Sequence, residues 1–117
     1  MIDTYFVDLG TPELETQAWA DKQHFAHADV NWDCPWNVGT EYETFRPTLM
    51  NIYVPEDRRY RGYARLLINK IIGYAKVRRV KELWFSNFNP EFWSSIDIKI
   101  KWKESDRSVG AIVIPAN

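Results

Sequence analysis

Apolar side chains in the middle of the chain recur at spacings of three and four residues. They are Ala64, Leu67, Ile68, Ile71, Ile72 and Ala75. This spacing places all six on one face of a helix, with polar and charged residues on the remaining faces. The pattern therefore predicts an amphipathic helix that begins just after Gly62.

Strand patterns lie on both sides of this predicted helix. Residues 48–54 are rich in side chains favoured in strands, and Pro47 can open a strand without losing a central ladder hydrogen bond. Residues 80–87 have a similar composition. A strand, a helix and a second strand in this order favour parallel pairing with a right-handed crossover.

The N-terminal part has weaker patterns. Residues 5–9 are typical of an opening strand, and Thr11, Pro12 and Glu13 resemble a cap, a first-turn proline and an early acid. We therefore expect a helix of about fourteen residues from Thr11, then irregular chain to about Thr40, and a strand over residues 40–45. Trp32 and Trp36 fall in the irregular part, where they could line a site or simply pack in the core.

The C-terminal part predicts a short helix and a closing hairpin. Asn89 can cap a helix that has Pro90 at its first position. Residues 96–102 alternate apolar and polar side chains, and a polar turn over residues 103–107 leads into the apolar run 109–114. If this last strand lies at a sheet edge, it could pair with a second copy and form a homodimer.

The turn before the predicted helix contains the sequence Arg-Tyr-Arg-Gly-Tyr-Ala, from Arg59 to Ala64. A helix N-terminus offers unpaired N–H groups and the positive end of the helix dipole, which together bind phosphate. The sequence reads R-x-x-G-x-A and resembles the acyl-CoA loop of the GNAT acetyltransferase superfamily. The resemblance extends roughly over residues 47–114.

The resemblance implies a fold and a co-substrate. The fold is an α/β (α+β) domain with a mixed, mostly antiparallel sheet, in which a central parallel pair splays between residues 48–54 and 83–86 and helices flank the sheet. The co-substrate is acetyl-CoA. The backbone of Ile52 and Val54 would pair with the pantetheine arm, and Asn87 or Asn89 would cap its other side. The loop residues that would bind the phosphates are Arg59, Tyr60, Arg61, Gly62, Tyr63, Ala64 and Arg65.

Two catalytic groups that the family commonly has are changed here. Trp93 replaces a tyrosine that protonates the departing thiolate, and an indole N–H is a far poorer acid. Asp97 replaces a glycine. Many members of the family have a glutamate in the strand before the loop, but residues 48–51 contain none. A carboxylate can take the proton of an amine, so we place the general base at Glu43, with Glu41 as the second candidate.

Charge and composition narrow the remaining choices. The net charge is −1, but the charges are unevenly distributed along the chain. The segment from Glu56 to Lys81 contains nine Lys or Arg and two acids, whereas residues 1–57 contain eleven acids and two bases. This acidic half disfavours nucleic acid and suits a cationic amine acceptor, either a small molecule or a protein. The 117 residues fit a single domain over 1–117, no apolar run reaches membrane-spanning length, and the lone Cys34 fits a reducing cytoplasm.

Two other chemistries receive little support. His24 and His27 are three residues apart, but the sequence shows no third strong metal ligand near them, so we expect no metal. Cys34 would need an activating base to act as a nucleophile. We therefore expect an N-acetyltransferase, with an inactive GNAT-like module that binds CoA or a protein, including a viral structural protein, as the alternative.

Overall fold

The computed structural model describes residues 4–8, 15–20, 26–58, 62–86 and 90–116. It contains seven strands, a 3-10 turn and two helices. The elements in chain order are β1 Thr4–Asp8, β2 Glu15–Ala20, β3 Ala26–Trp36, β4 Thr44–Tyr53, the 3-10 turn Glu56–Arg58, α1 Tyr63–Val77, β5 Glu82–Ser86, α2 Pro90–Ser95, β6 Ile100–Trp102 and β7 Val109–Val113.

All seven strands form one sheet in the order β1-β2-β3-β4-β5-β7-β6. Only β4 and β5 run parallel to each other, while every other neighbouring pair of these strands is antiparallel. The predicted α+β fold with a mixed, mostly antiparallel sheet is therefore confirmed. In the described part of the chain no helix is long and apolar enough to cross a membrane.

Helix α1 forms where the apolar spacing predicted it. It buries Leu67, Ile68, Ile71 and Ala75 against the sheet. Gly62 precedes its first residue with a φ of 85°, a conformation that glycine adopts without the steric cost of a Cβ. The helix ends as the N–H of Arg78 bonds to the carbonyl of Tyr74.

The face of the sheet that α1 covers is built by alternate residues of β3. Ala26, Ala28, Val30 and Trp32 are buried, and the residues between them are only half-buried. Two small alanines let the helix lie close to the strand, and Trp32 packs against Tyr74 of the helix with ring centroids 5.5 Å apart. The side chains between these four therefore lie on the opposite face.

The structure corrects the prediction for the N-terminal part. The helix expected from Thr11 is wrong over 15–20, because these residues form β2, and residues 11–14 and 21–25 lie outside the described residues. The irregular stretch expected before Thr40 is also wrong, since most of it is β3. Pairing of β2 with β1 and β3 overrides a local cap signal, because helix propensity is a weak preference.

Two further expectations are wrong. Residues 40–43 form a turn rather than a strand, and β4 begins only at Thr44. The last strand, β7, is not an edge, because it lies between β5 and β6. Its backbone groups are already paired on both sides, so the homodimer expected through this strand loses its structural basis.

An aromatic cluster fixes the C-terminal half of the sheet. Phe85 stacks on Trp93 of α2 at 3.9 Å and meets Trp102 of β6 edge-on at 5.8 Å. Gly110 of β7 lies between the two strands that carry these rings, where a Cβ would lie 2.7 Å from Phe85 and 2.9 Å from Trp102. The close packing of these rings therefore requires a residue without a side chain at position 110.

We expect Gly110→Ala to lower the free energy of unfolding by about 1–3 kcal/mol, because a methyl group would overpack these rings. The matched control is Gly73→Ala in the exposed middle of α1, where a Cβ meets no atom within 4 Å. Alanine favours a helix over glycine, so this control should raise stability by about 0.5–1 kcal/mol. Urea unfolding measures both values, and equal stabilities of the two variants would contradict the packing described here.

Candidate functional site

The parallel pair among the described strands, β4 and β5, is joined at a single position, and the separation beyond it is a candidate crevice. Over their full described lengths, β4 and β5 share one ladder pair, Thr48 with Trp84. Beyond it, β4 continues to Tyr53 beside β3, and β5 continues to Ser86 beside β7. A gap outside the carboxyl ends of parallel strands is where such sheets commonly bind ligands.

A bulge in β4 lies next to this separation. Val30 pairs with Leu49 and Asp29 pairs with Asn51, so Met50 is an extra residue on β4. Bulges bend a strand and increase its twist. The bulge therefore helps β4 to turn away from β5 immediately after their shared pair.

Thr48 anchors the closed end of the crevice. Its side chain is buried, its Oγ1 accepts a hydrogen bond from Trp36 Nε1 at 2.8 Å, and its hydroxyl donates to the Arg46 carbonyl at 2.9 Å. The Trp36 ring also meets the Trp84 ring edge-on at 5.7 Å. The one pair that joins the two halves of the sheet is thus held by side chains as well as by the backbone.

Two cations lie over the Trp84 ring. The Arg46 guanidinium carbon is 3.9 Å from the ring centroid, and Lys103 Nζ is 4.5 Å from it. Lys103 also forms an ion pair with Glu82 at 2.6 Å. This cluster lies on the sheet face opposite α1, because Thr48 and Trp84 alternate with the buried Leu49, Leu83 and Phe85.

At the open end of the crevice the N-terminus of α1 is accessible. Gly62 is exposed, and a Cβ placed there would meet no atom within 4 Å. The first turn of α1 contains no acid. Arg65 lies in that turn and makes a long, exposed ion pair with Asp97 at 3.6 Å, which holds it only weakly. An anion could therefore approach this corner.

The structure places six of the eleven predicted cofactor-binding residues. Ile52 and Val54 lie on the part of the chain that has passed the Thr48–Trp84 pair, and Gly62, Tyr63, Ala64 and Arg65 open α1. The other five lie outside the described residues: Arg59, Tyr60, Arg61, Asn87 and Asn89. Their binding roles stay predictions.

Glu41 and Glu43 lie in the turn between β3 and β4. Glu43 accepts a hydrogen bond from the backbone N–H of Gly39 at 3.0 Å, which gives this carboxylate a structural role in the turn. From Glu43 to Thr48 the chain advances roughly 16 Å at about 3.3 Å per residue. The catalytic roles of both residues stay predictions, and their location does not favour them.

Trp93 and the two indoles of the N-terminal half have clear positions. Trp93 is buried in the aromatic cluster, which explains an aromatic residue there without a catalytic hydroxyl. Trp32 is core, whereas Trp36 lies at the closed end of the crevice. Of the two tryptophans that were candidates for lining a site, only Trp36 is therefore placed to do so.

The sequence analysis missed a histidine and carboxylate pair on the exposed sheet face. His27 Nδ1 lies 3.1 Å from Asp29 Oδ1, and the His27 ring is 5.6 Å from that of Tyr53. His27 lies on β3, where it alternates with the buried alanines. Among the described residues no three potential ligands group around a metal position, and His24 lies outside them.

Comparison with known proteins identifies the fold. No family model matches this sequence, and no curated protein matches it. Several solved structures match this chain. The KacTA–DNA complex matches with a TM-score of 0.61 and 10% identity, over 87% of this chain and 69% of that chain. Nourseothricin acetyltransferase matches with a TM-score of 0.55 and 15% identity, over 97% of this chain and 85% of that chain.

A third similar structure comes from Desulfovibrio desulfuricans and is assigned to the GNAT acetyltransferases. Its TM-score is 0.54 with 12% identity, over 86% of this chain and 67% of that chain. This chain has the GNAT fold. The resemblance read from residues 59–64 is therefore confirmed at the level of fold, and the sequence is strongly divergent from these GNAT structures.

We expect the Trp36–Thr48 hydrogen bond to stabilise the GNAT sheet where its halves meet. Thr48→Val keeps the side-chain shape but leaves the Trp36 N–H without its partner, so unfolding free energy should fall by about 1–3 kcal/mol. Trp36→Phe removes the donor. In a double-mutant cycle followed by urea unfolding, the two losses should be strongly non-additive. Strict additivity would show that the bond contributes nothing.

Proposed function

We propose that this protein is an N-acetyltransferase that moves an acetyl group from acetyl-CoA directly to a primary amine of a small molecule or a protein. One observation carries the proposal. A crevice between two parallel strands, joined only at Thr48 and Trp84, opens beside the exposed N-terminus of α1 at Gly62. A thioester with a pyrophosphate needs these two features side by side.

The described residues fit the co-substrate. The backbone N–H groups from Gly62 to Arg65 would receive the pyrophosphate, since the first helical turn lacks intrahelical partners for its donors. Ile52 and Val54 would offer backbone groups to the pantetheine arm. Acetyl-CoA supplies an activated acetyl thioester, and the protein supplies position. Holding an amine in line with the thioester removes much of the entropic barrier.

The amine must be neutral when it attacks, so a nearby group has to accept its proton. Glu43 and Glu41 remain the candidates predicted from the sequence. The structure adds His27, which Asp29 orients through the contact at 3.1 Å. His27 lies on the sheet face that bears Thr48 and Trp84 and pairs with Tyr53 at the far end of β4, so we propose it as a further candidate.

A GNAT-like module without catalysis is the second candidate. Trp93 is buried against Phe85 and offers no hydroxyl to a departing thiolate, which is the specific observation that favours it. In that case the crevice would bind CoA, or the exposed face of the sheet would bind a protein. The neighbour named nourseothricin acetyltransferase supports acetyl transfer as a reaction class, and we carry no acceptor over from it.

Acetyl-CoA should stabilise the protein against heat. At about a hundredfold excess over the dissociation constant, one bound ligand adds about 2.7 kcal/mol to the unfolding free energy. Arg61→Glu should abolish the shift because it places a negative charge in the proposed phosphate loop. Lys81→Glu makes the same charge change beyond the far end of α1 and should keep it. Differential scanning fluorimetry measures all three proteins, and no shift at millimolar acetyl-CoA would reject both the enzyme and a module that binds CoA.

Release of free CoA from acetyl-CoA, followed with a thiol reagent and a panel of amines, separates the enzyme from the module. The enzyme transfers acetyl to at least one amine, whereas a module binds acetyl-CoA and transfers none. In an active enzyme, loss of the general base typically lowers the rate by about 10²–10⁴. His27→Gln and Glu43→Gln, compared in the same assay, identify which of the two groups acts.

A further inference from the structure

The Arg46 guanidinium is held flat against aromatic rings at the closed end of the crevice. Its carbon lies 3.9 Å from the Trp84 ring centroid and 5.2 Å from that of Trp36. The residue is half-buried. A guanidinium stacked on a ring keeps its N–H donors in its own plane, so its edge can still bind a planar anion.

The charge of Arg46 is not neutralised by the described residues. Lys103, the other cation over Trp84, is paired with Glu82. Unlike Arg65 and Lys103, the guanidinium of Arg46 makes no ion pair with a described carboxylate. A half-buried cation with its rotamer fixed by two rings is already organised to receive an anion.

Arg46 also lies beside the place where an acceptor would react. It is two residues before Thr48 on β4, and both side chains lie on the face opposite α1, because Arg46 lies over the ring of Trp84, which pairs with Thr48. Two residues along a strand span roughly 7 Å. The backbone of Arg46 therefore lies on the side of the Thr48–Trp84 pair away from the proposed acetyl-CoA loop, and its guanidinium reaches back to the Trp84 ring.

We propose that Arg46 binds a carboxylate of the acceptor, and that the acceptor is a small amino carboxylate with its amine directed toward the crevice. This inference rests on the proposed acetyl transfer and names its substrate class. The Arg46 fork would accept both carboxylate oxygens, which is the geometry that arginine favours over lysine. The indoles of Trp36 and Trp84 would form the apolar walls around that contact.

Matched pairs of amines test the proposal. β-Alanine is compared with β-alaninamide, and phenylalanine with phenylalaninamide, so that each pair differs only in the carboxylate. We expect the acid of at least one pair to have a kcat/KM at least tenfold above that of its amide. Arg46→Gln should remove this preference mainly through a higher KM, Arg46→Lys should keep part of it, and the rates of the amides should change little.

The exposed Lys101 on β6 provides the control, since Lys101→Gln removes a cation from another strand of the same sheet and Lys101 is not one of the cations over Trp84. This variant should keep the full preference. 2-Aminoethylphosphonate tests whether the site prefers a carboxylate to another anion. A kcat/KM for this phosphonate above those of both carboxylates would overturn the assignment to a carboxylate. The thermal shift caused by acetyl-CoA should be the same in Arg46→Gln as in the parent, which shows that the variant is folded and binds the co-substrate.

A binding readout keeps the test independent of turnover. With CoA bound, millimolar β-alanine or phenylalanine should raise the melting temperature of the parent more than its amide does, and Arg46→Gln should lose this difference. Equal shifts for acid and amide in both pairs, together with an intact acetyl-CoA shift, overturn the carboxylate proposal and leave the proposed function standing. Loss of the acetyl-CoA shift in the parent would instead reject the proposed function.

Discussion

The Thr48–Trp84 pair is the contact on which the site depends. It is the one place where β4 and β5 are in register, and it joins the antiparallel group β1 to β4 with the group β5, β7 and β6. If the two strands were paired along their whole lengths, the sheet would have no gap. If they were not paired at all, its halves would lose their common register. The hydrogen bond from Trp36 fixes Thr48 against β3, and the side chains of Trp36 and Arg46 reach across to Trp84 of β5 at this single point.

This arrangement gives the two faces of the sheet different roles. Helices α1 and α2 cover one face with the apolar core, and Gly62, at the end of the proposed acetyl-CoA loop, leads into α1 of that layer. The opposite face carries His27, Arg46 and Trp84, which are charged or amphipathic and only half-buried. A co-substrate could enter from the helix layer and an acceptor could meet it from the other face. The proposed chemistry therefore follows from the division of the sheet at Thr48.

Prediction from the sequence succeeded where local patterns and tertiary pairing agreed. The 3.6-residue spacing in α1, the glycine before its first residue and the closing hairpin are local signals, and each appears in the structure. It failed for β2 and β3, where alternation uses alanine, which carries little hydrophobic signal, and where pairing with neighbouring strands decides the conformation. The cluster of Trp36, Arg46 and Trp84 joins residues distant in sequence, so no local spacing could reveal it. Glu43 was favoured because residues 40–45 were expected to form a strand next to residues 48–54, whereas Glu43 lies in the turn that precedes β4.

Backbone hydrogen exchange with and without acetyl-CoA tests the central claim most directly, because it reports where the co-substrate lies. The account predicts slower exchange at residues 50–54 of the β4 region and at residues 62–65 at the start of α1, since these amides would meet pantetheine and pyrophosphate. The β6–β7 hairpin should exchange at an unchanged rate. Protection confined to other segments, or no protection at saturating acetyl-CoA, would contradict a binding crevice between β4 and β5.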